Sequence, residues 1–310
     1  LIYDIPIPGS LYAFGAQVEN AMEISNEGLE LELQADILRE SAVSWRMKFN
    51  MARNWNRFEK SYSGKDVVDG DGTLLVVGRP LNGLYVWAHR GYYNSDAEVP
   101  RLYKIDGQEI YFNGVATNGI SGAVGDYRLL DLDGDGNPDS YYAGSPLPLA
   151  HGGWVNELMW KNFDLNVLVN FTIGRKMINN RMGLGFSRQS EDGHLTKLFD
   201  YRKLRPWDGV NKKPNAPAWG NSLSMNTDSA IEKVHHLALK QITLGYNLPD
   251  RISKKAGLSG VRFFLTAENL FYLSNYSGGN PEVVNIYTGR DNGDTYPLPR
   301  KYTLGLTLNF

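Results

Sequence analysis

Apolar and polar residues alternate strictly along the last ten residues of the chain, 301–310. Because successive side chains of a β-strand point to opposite faces, this pattern predicts a strand with one apolar and one polar face. Such a strand, ending on an aromatic residue, suits a barrel in an outer membrane, where lipid covers one face. The apolar positions are Tyr302, Leu304, Leu306, Leu308 and Phe310.

The same alternation predicts six more strands. In the first of them, Leu29, Leu31 and Leu33 alternate with Glu30 and Glu32. Strands of this kind look only mildly hydrophobic, because half of their positions face a polar interior. The six segments span residues 24–37, 45–55, 153–160, 163–173, 237–248 and 261–272.

The connections between the seven predicted strands are alternately short and long. This alternation is typical of an outer-membrane barrel with tight periplasmic turns and long external loops. We therefore predict an all-β fold: an antiparallel transmembrane β-barrel portion over residues 24–310, preceded by an extracellular loop segment over 1–23. The predicted extracellular loops cover about 59–150, 179–232 and 273–298. Because bacterial barrels usually have an even number of strands, we expect these seven to be the C-terminal part of a longer barrel.

Two cations, Arg53 and Lys240, fall on predicted lipid-facing positions. Each lies roughly eight residues from a predicted periplasmic turn. At a rise of about 3.3 Å per residue and a tilt near 40°, both side chains are expected about 20 Å above the periplasmic turns. This height corresponds to the outer rim of the membrane, where a charged side chain costs little free energy.

Composition excludes several functional classes. A net charge of −2 and a pI near 6.3 argue against a nucleic-acid binder. The chain has no cysteine, which removes disulfides, thiolate metal sites and cysteine nucleophiles. No run approaches the roughly 18 apolar residues of a membrane-spanning helix.

Nothing in the sequence suggests a nucleophile with a base and an orienting partner, so we do not expect an enzyme. The adjacent His235 and His236 would point to opposite faces of a strand, which disfavours joint metal binding. Several charged residues on the polar positions are interpreted as lining of the barrel interior rather than as hydrolytic carboxylates. They are Glu30, Glu32, Asp36, Asp164, Arg262 and Glu268.

One acidic run in the first long loop has the composition of a Ca²⁺ site. Asp131, Asp133, Asp135 and Asp139 surround glycines that permit a tight turn, and Ca²⁺ prefers several oxygen ligands. Tyr142 stands where an EF-hand loop would place its bidentate glutamate, so the run is not a complete EF-hand. The alternative interpretation is a solvated acidic turn without a metal.

Aromatic residues of the predicted loops are the candidates for ligand or partner binding. Their amphipathic rings can stack on sugar faces or pack against a partner protein. The alternative is that these rings pack the loops themselves. The candidates are Tyr85, Trp87, Tyr92, Tyr93, Tyr111, Trp207 and Trp219.

Short segments in a fixed order along nearly the whole chain resemble the C-terminal barrel of SusC/RagA-type TonB-dependent outer-membrane transporters. Each segment alone is a weak indicator of this family, whereas the whole set in this order is specific to it. They include N-E-G-L-E-L-E-L at 26–33, D-L-D-G-D-G-N-P-D at 131–139, G-G-W-V-N at 152–156, K-N-F-D-L at 161–165, L-K-Q-I-T-L-G-Y-N-L-P at 239–249, E-N-L-F at 268–271, G-N-P-E at 279–282 and Y-P-L-P-R at 296–300.

The resemblance implies a 22-stranded barrel in the outer membrane of a Gram-negative cell, with an N-terminal plug and a TonB box outside this sequence. It also implies a SusD-like surface lipoprotein as partner, contact with TonB and outer-membrane lipid, and a terminal strand (Tyr302 to Phe310) read by the barrel assembly machinery. The expected function is import of oligosaccharides or peptides. Two alternatives remain open: an outer-membrane scaffold whose loops bind proteins, and a soluble all-β glycan-binding or hydrolytic domain.

Overall fold

The computed structural model describes residues 2–6, 16–39, 42–68, 74–99, 101–103, 109–111, 124–134, 139–180, 205–210, 213–218, 227–293 and 295–310. Seven long antiparallel strands form the main sheet, each paired with its neighbours in chain order, as the sequence predicts. The strands are β1 (Glu23–Leu38), β2 (Val43–Lys60), β3 (Ala150–Trp160), β4 (Phe163–Asn179), β5 (Ile231–Asn247), β6 (Gly260–Ser274) and β7 (Lys301–Asn309).

Short connections lie at one end of this sheet, which we call the turn end. Residues 161 and 162 join β3 to β4, and Lys161 adopts a φ of 53°, as tight turns require. A short helix, Asp250–Ser253, and a 3₁₀ turn, Lys254–Ala256, lie between β5 and β6. The long connections lie at the opposite end, the loop end.

The helices in the described part of the chain are too short to cross a membrane.

Most apolar side chains of the seven strands share one face of the sheet. Leu33 pairs with Phe49, Phe49 with Trp154, and Trp154 with Val169, so the apolar positions continue from strand to strand. This face is open: Leu304, for example, is 81% exposed. A sheet in water normally buries its apolar face, so this one is built for an apolar environment.

Aromatic rings border the apolar face at the turn end. The rings of Trp160 and Phe163 lie 6.1 Å apart, and those of Phe163 and Tyr246 lie 4.7 Å apart. Trp45 donates its indole N–H to Asn156 Oδ1 at 3.1 Å, which satisfies an amide on the apolar side. Aromatic belts of this kind are typical of membrane–water interfaces.

The opposite face carries the polar residues, and its ion pairs join neighbouring strands and, in one case, β4 to β6 across β5. Three of these pairs use charged residues that the sequence places on this face. They are Asp36–Arg46 at 2.6 Å, Asp164–Arg262 at 2.5 Å and Glu268–Lys301 at 3.3 Å, and a fourth pair is Lys48–Glu157 at 2.8 Å.

Buried apolar clusters occur at the loop end, where the long connections fold onto the sheet. One cluster contains Leu84, Val86, Ala143, Ile178 and Ala230. Two more form around Met22 with Phe58, and around Met177 with Val234. The loops therefore have packing of their own and attach to the upper parts of β2, β4 and β5.

Short strands lie within the first long connection, between β2 and β3. They pair as Val67–Val68 with Leu74–Leu75, Leu84–Trp87 with Ser140–Gly144, His89–Tyr92 with Tyr127–Leu129, and Arg101–Tyr103 with Glu109–Tyr111. Residues 1–23, interpreted from sequence as loop, contain a hairpin of Ile2–Pro6 and Ala16–Asn20.

Of the two cations expected on lipid-facing positions, Lys240 lies elsewhere. Arg53 is exposed, and its guanidinium lies 5.5 Å from the centre of the Trp55 ring. Lys240 sits in a β-bulge, because the register of β5 shifts between Leu239 and Gln241. Its ammonium contacts Glu282 Oε2 at 3.2 Å instead of lying at the lipid rim. A bulge adds one residue to the strand, so the residues beyond it lie on the face opposite to the one that strict alternation predicts. No pattern in the local sequence predicts the bulge.

Candidate binding site in the long loops

The loop aromatics are presented by two strand pairs that stand on the loop end of the sheet. In the strand Leu84–Trp87, Leu84 and Val86 are buried against Ile178 of β4. Tyr85 and Trp87 occupy the alternate positions and stay half-buried. Period-two alternation thus anchors the strand on one side and presents aromatic rings on the other.

Tyr85 belongs to a first aromatic group with Tyr142 and Arg79. The two tyrosine rings lie 5.7 Å apart, and the Arg79 guanidinium lies 4.8 Å from the centre of the Tyr142 ring. Burial raises the pKa of the Tyr85 phenol to about 12. Among the described residues, the buried Tyr85 hydroxyl has no hydrogen-bond partner.

Tyr92 belongs to a second group, centred on Tyr127. The rings of Tyr92 and Tyr127 stack at 5.3 Å, and the His89 ring meets Tyr127 edge-on at 4.6 Å. Burial raises the pKa of both tyrosines. His89 Nδ1 contacts the Asp228 carboxylate, which also accepts a hydrogen bond from the Tyr141 hydroxyl at 3.1 Å.

Asp228 lies just before β5, so its contacts tie the first long connection to the second. No sequence pattern predicts that His89, Asp228, Tyr127 or Tyr141 belongs to this site. The contacts join residues far apart in the chain, and no local pattern marks them.

Tyr93 and Trp207 hold the loops together rather than face solvent. Tyr93 is buried, and Trp207 packs against Gly125 and donates its indole N–H to Asn94 Oδ1 at 3.2 Å. A side chain at Gly125 would collide with the Trp207 ring, and its φ of +86° favours glycine. The positions of these two residues therefore agree with the alternative interpretation, in which aromatic rings pack the loops themselves.

Two other candidates cannot be placed in the same way. Tyr111 ends the short strand Glu109–Tyr111, and only its backbone is described. Trp219 lies outside the described residues.

Two exposed aromatics of the loops are not among the candidates predicted from the sequence. They are Tyr287, which is 71% exposed, and Tyr296, which is 85% exposed. A binding role for any loop aromatic stays a prediction.

The acidic run forms a compact turn. Carboxylate oxygens of Asp131, Asp133 and Asp139 lie within 4.8 Å of one another, and Asp135 lies outside the described residues. Asp139 Oδ2 accepts backbone N–H groups from Leu132 at 2.5 Å and from Asp133 at 3.1 Å. Asp139 therefore closes the turn, and Ca²⁺ binding there stays a prediction.

The connection between β6 and β7 folds back against β4 and β5. Arg175 on β4 is buried and donates to the carbonyls of Pro281, Val284 and Asn285 at 2.9–3.3 Å. The Tyr276 hydroxyl donates to Asp291 at 2.7 Å. This predicted external loop is therefore held firmly at the loop end of the sheet.

The terminal strand keeps its apolar face open. Tyr302, Leu304, Leu306, Leu308 and Phe310 are all exposed, and Phe310 is 93% exposed. One edge of β7 pairs with β6, and the other is free among the described residues. The role of these five residues as an assembly signal stays a prediction.

Comparison with known proteins supports the resemblance. No protein-family model matches the chain. The whole chain is 25% identical to TonB-dependent receptor P3 and 28% identical to TonB-dependent receptor P26, both of Formosa agariphila, and covers 31% of each. It is 26% identical to TonB-dependent receptor SusC of Bacteroides thetaiotaomicron and covers 29% of that protein. The chain thus spans about a third of the length of these relatives.

A solved structure has the same fold. The RagAB peptide transporter superposes on the whole chain with a TM-score of 0.72 at 22% sequence identity, and the match covers 32% of that transporter chain. The sequence relatives are receptors rather than enzymes, in agreement with the sequence analysis. In sequence and in fold, the chain is similar over its full length to a β-barrel portion of SusC/RagA-type TonB-dependent receptors.

Proposed function

We propose that the protein containing this chain imports oligosaccharides or peptides across an outer membrane, driven by TonB and assisted by a SusD-like surface lipoprotein. The observation that carries this proposal is the two-faced sheet: seven antiparallel strands with an open apolar face and an ion-paired polar face. Full-length similarity to TonB-dependent receptors supplies the functional class.

The exposed apolar face supports a location in the outer membrane. Leaving a leucine in water forgoes about 1.5–3 kcal/mol relative to burial, and this face exposes many of them. Lipid removes that cost. In this arrangement the turn end faces the periplasm and the loop end faces the cell exterior.

The loop end supports a role in recognition. It carries two packed aromatic groups and the exposed rings of Tyr287 and Tyr296, which are suited to sugar faces or to a partner protein. Among the solved structures of the same fold is the RagAB peptide transporter, which supports peptides as one substrate class. The SusC relative supports a lipoprotein partner of the SusD type.

The polar face supports a water-filled or plugged passage. Its ion pairs leave the surface hydrophilic, and three of them join neighbouring strands. The step driven by TonB belongs to the rest of the protein, since the chain corresponds to about a third of its relatives. Import of this kind needs binding and rearrangement, without covalent chemistry.

Uptake by intact cells tests the proposal. Cells that make the whole protein and its SusD-like lipoprotein should accumulate labelled oligosaccharides or peptides. Loss of TonB should abolish this uptake. Purification of the protein in detergent should retain the lipoprotein. Uptake that is unchanged in cells without TonB would exclude import driven by TonB. A protein that retains partners but transports none of these solutes is the scaffold of the alternative hypothesis.

Assembly by the barrel machinery is tested separately. Removal of Phe310 should lower the amount of heat-modifiable protein in the outer membrane, while Asn309→Ala should leave it unchanged. Equal assembly of both variants would exclude the terminal aromatic as a signal.

A further inference from the structure

The connection between β5 and β6, residues 248–259, is a compact turn with its charged side chains on the outside. Backbone hydrogen bonds hold it: the Leu258 N–H, for example, donates to the Ser253 carbonyl at 3.1 Å. Gly257 ends the 3₁₀ turn with a φ of 74°. Ser253 is fully buried, whereas the side chains around it are exposed. The exposed residues include Arg251, Ile252, Lys254 and Lys255.

This turn carries more positive than negative charge. Among the described residues, Arg251, Lys254 and Lys255 form no ion pair, and Asp250 is the one acidic residue of the turn. Like charges held close together on a rigid turn repel each other, so this surface favours an anionic partner.

A fourth cation lies beside the turn, at the aromatic border of the apolar face. Asn162, in the turn between β3 and β4, accepts the Asn247 N–H with its carbonyl and donates its side-chain amide to the Asn247 carbonyl, both at 2.8 Å. The two turns are therefore joined side by side. Lys161, just before Asn162, holds its ammonium 5.1 Å from the centre of the Trp160 ring.

We propose that Lys161, Arg251, Lys254 and Lys255, which we call the cationic rim, bind the phosphate groups of anionic phospholipids in the membrane leaflet at the turn end. An aromatic border marks the depth at which hydrocarbon gives way to lipid headgroups. Lysine and arginine at this depth extend their charged ends towards the headgroups, and a guanidinium can donate two parallel hydrogen bonds to one phosphate. The inference rests on the proposed location in an outer membrane and does not depend on the transported solute.

Ile252 favours a lipid over a soluble polyanion as the partner. Its side chain is 52% exposed and lies among the cations of the turn. A soluble polyanion would neutralise the charges but leave Ile252 in water. A bilayer surface accepts both, because the acyl-chain boundary lies directly next to the phosphates.

Lipid-dependent stability of the purified full-length protein tests the rim. Added phosphatidylglycerol should raise the temperature at which the folded band is lost on detergent gels by several degrees, and phosphatidylcholine should not. Lys254→Gln with Lys255→Gln should lose at least half of this rise. The matched control is Lys65→Gln with Lys233→Gln, which removes two exposed cations at the loop end and should keep the whole rise. Equal rises in the two variants would overturn the proposal.

Two further measurements separate lipid binding from other causes. Native mass spectrometry should count fewer bound phosphatidylglycerol molecules on the Lys254→Gln, Lys255→Gln variant than on the control, whatever their stabilities. Soluble polyphosphate at the same phosphate concentration should give no protection. Protection by polyphosphate that equals that by phosphatidylglycerol and is unchanged by Ile252→Ser would reveal a site for a soluble polyanion and overturn the lipid assignment. Both readouts are made without transport, so they stand or fall separately from import.

Discussion

Asp164 on β4 and Arg262 on β6 form an ion pair that reaches across the intervening strand β5. The guanidinium donates to the carboxylate twice, at 2.5 Å and 3.2 Å. Gly245 of β5 lies beneath the pair, and a Cβ there would lie 2.4 Å from Asp164 and 2.5 Å from Arg262. The missing side chain is therefore what allows two non-adjacent strands to interact directly.

Gly245→Ala should break this arrangement. The methyl group displaces both charged side chains, so we expect a loss of about 1–2 kcal/mol in the free energy of unfolding. Urea unfolding of the protein in detergent micelles measures it. Gly260→Ala is the control, because its Cβ would first meet only the flexible Asn309 amide at 3.2 Å. Equal stability of the two variants would contradict the prediction.

Phe264 and Gly305 form a second contact of this type. The Phe264 ring covers Gly305 on the neighbouring strand, and a Cβ at Gly305 would lie 2.0 Å from the ring. Gly305→Ala should therefore cost about 1–3 kcal/mol in stability by forcing the ring aside. In a background with Phe264→Ala, the same glycine substitution should cost much less. Additive effects in this double-mutant cycle would exclude the contact.

Alkaline pH should weaken the packing around Tyr85. Its pKa is raised to about 12 by burial, whereas an unfolded tyrosine ionises near 10. Between these values the unfolded loop has lost a proton that the folded loop still holds, so stability falls as the pH rises from 10 to 12. Limited proteolysis of the loop across this pH range measures the effect.

Tyr85→Phe isolates that contribution. The variant should lack one late-ionising group in the tyrosinate absorbance titration. It should not lose stability at neutral pH, because the Tyr85 hydroxyl has no hydrogen-bond partner among the described residues. An unchanged titration curve would show that Tyr85 ionises normally.

Asp228→Asn should release the first long connection from the start of β5. The substitution weakens the contact with His89 and the hydrogen bond from Tyr141. We expect proteolysis between residues 84 and 144 to accelerate several-fold, while the barrel strands remain protected. Asp96→Asn, in the exposed 3₁₀ turn Asp96–Glu98, is the control. Equal cleavage rates would show that the Asp228 contacts do not secure the loop.

Calcium should slow proteolysis of the turn at 131–139 if the acidic run is a cation site, and a chelator should reverse the protection. Asp131→Asn should abolish the response to calcium while leaving the hydrogen bonds of Asp139 in place. A turn whose cleavage rate is the same with calcium and with chelator is a solvated acidic turn.

The sequence alone determined the seven strands, the two faces of each strand and the alternation of short and long connections. These properties are local: a period of two and a run of turn residues are visible without any knowledge of the partner strand. The same locality explains why the charged residues on the polar positions were placed on the correct face before their ion pairs were known.

Tertiary structure decided where regular alternation stops. β4 continues to Asn179 and β5 begins at Ile231, beyond their predicted ends. At the end of β4 the successive residues Met177, Ile178 and Asn179 are all buried, so alternation no longer has a physical basis there. The bulge at Lys240, the contact of His89 with Asp228 and the pair of Asp164 with Arg262 over Gly245 are also tertiary. Each depends on residues brought together from distant segments, and distant contacts leave no periodic signal in either segment.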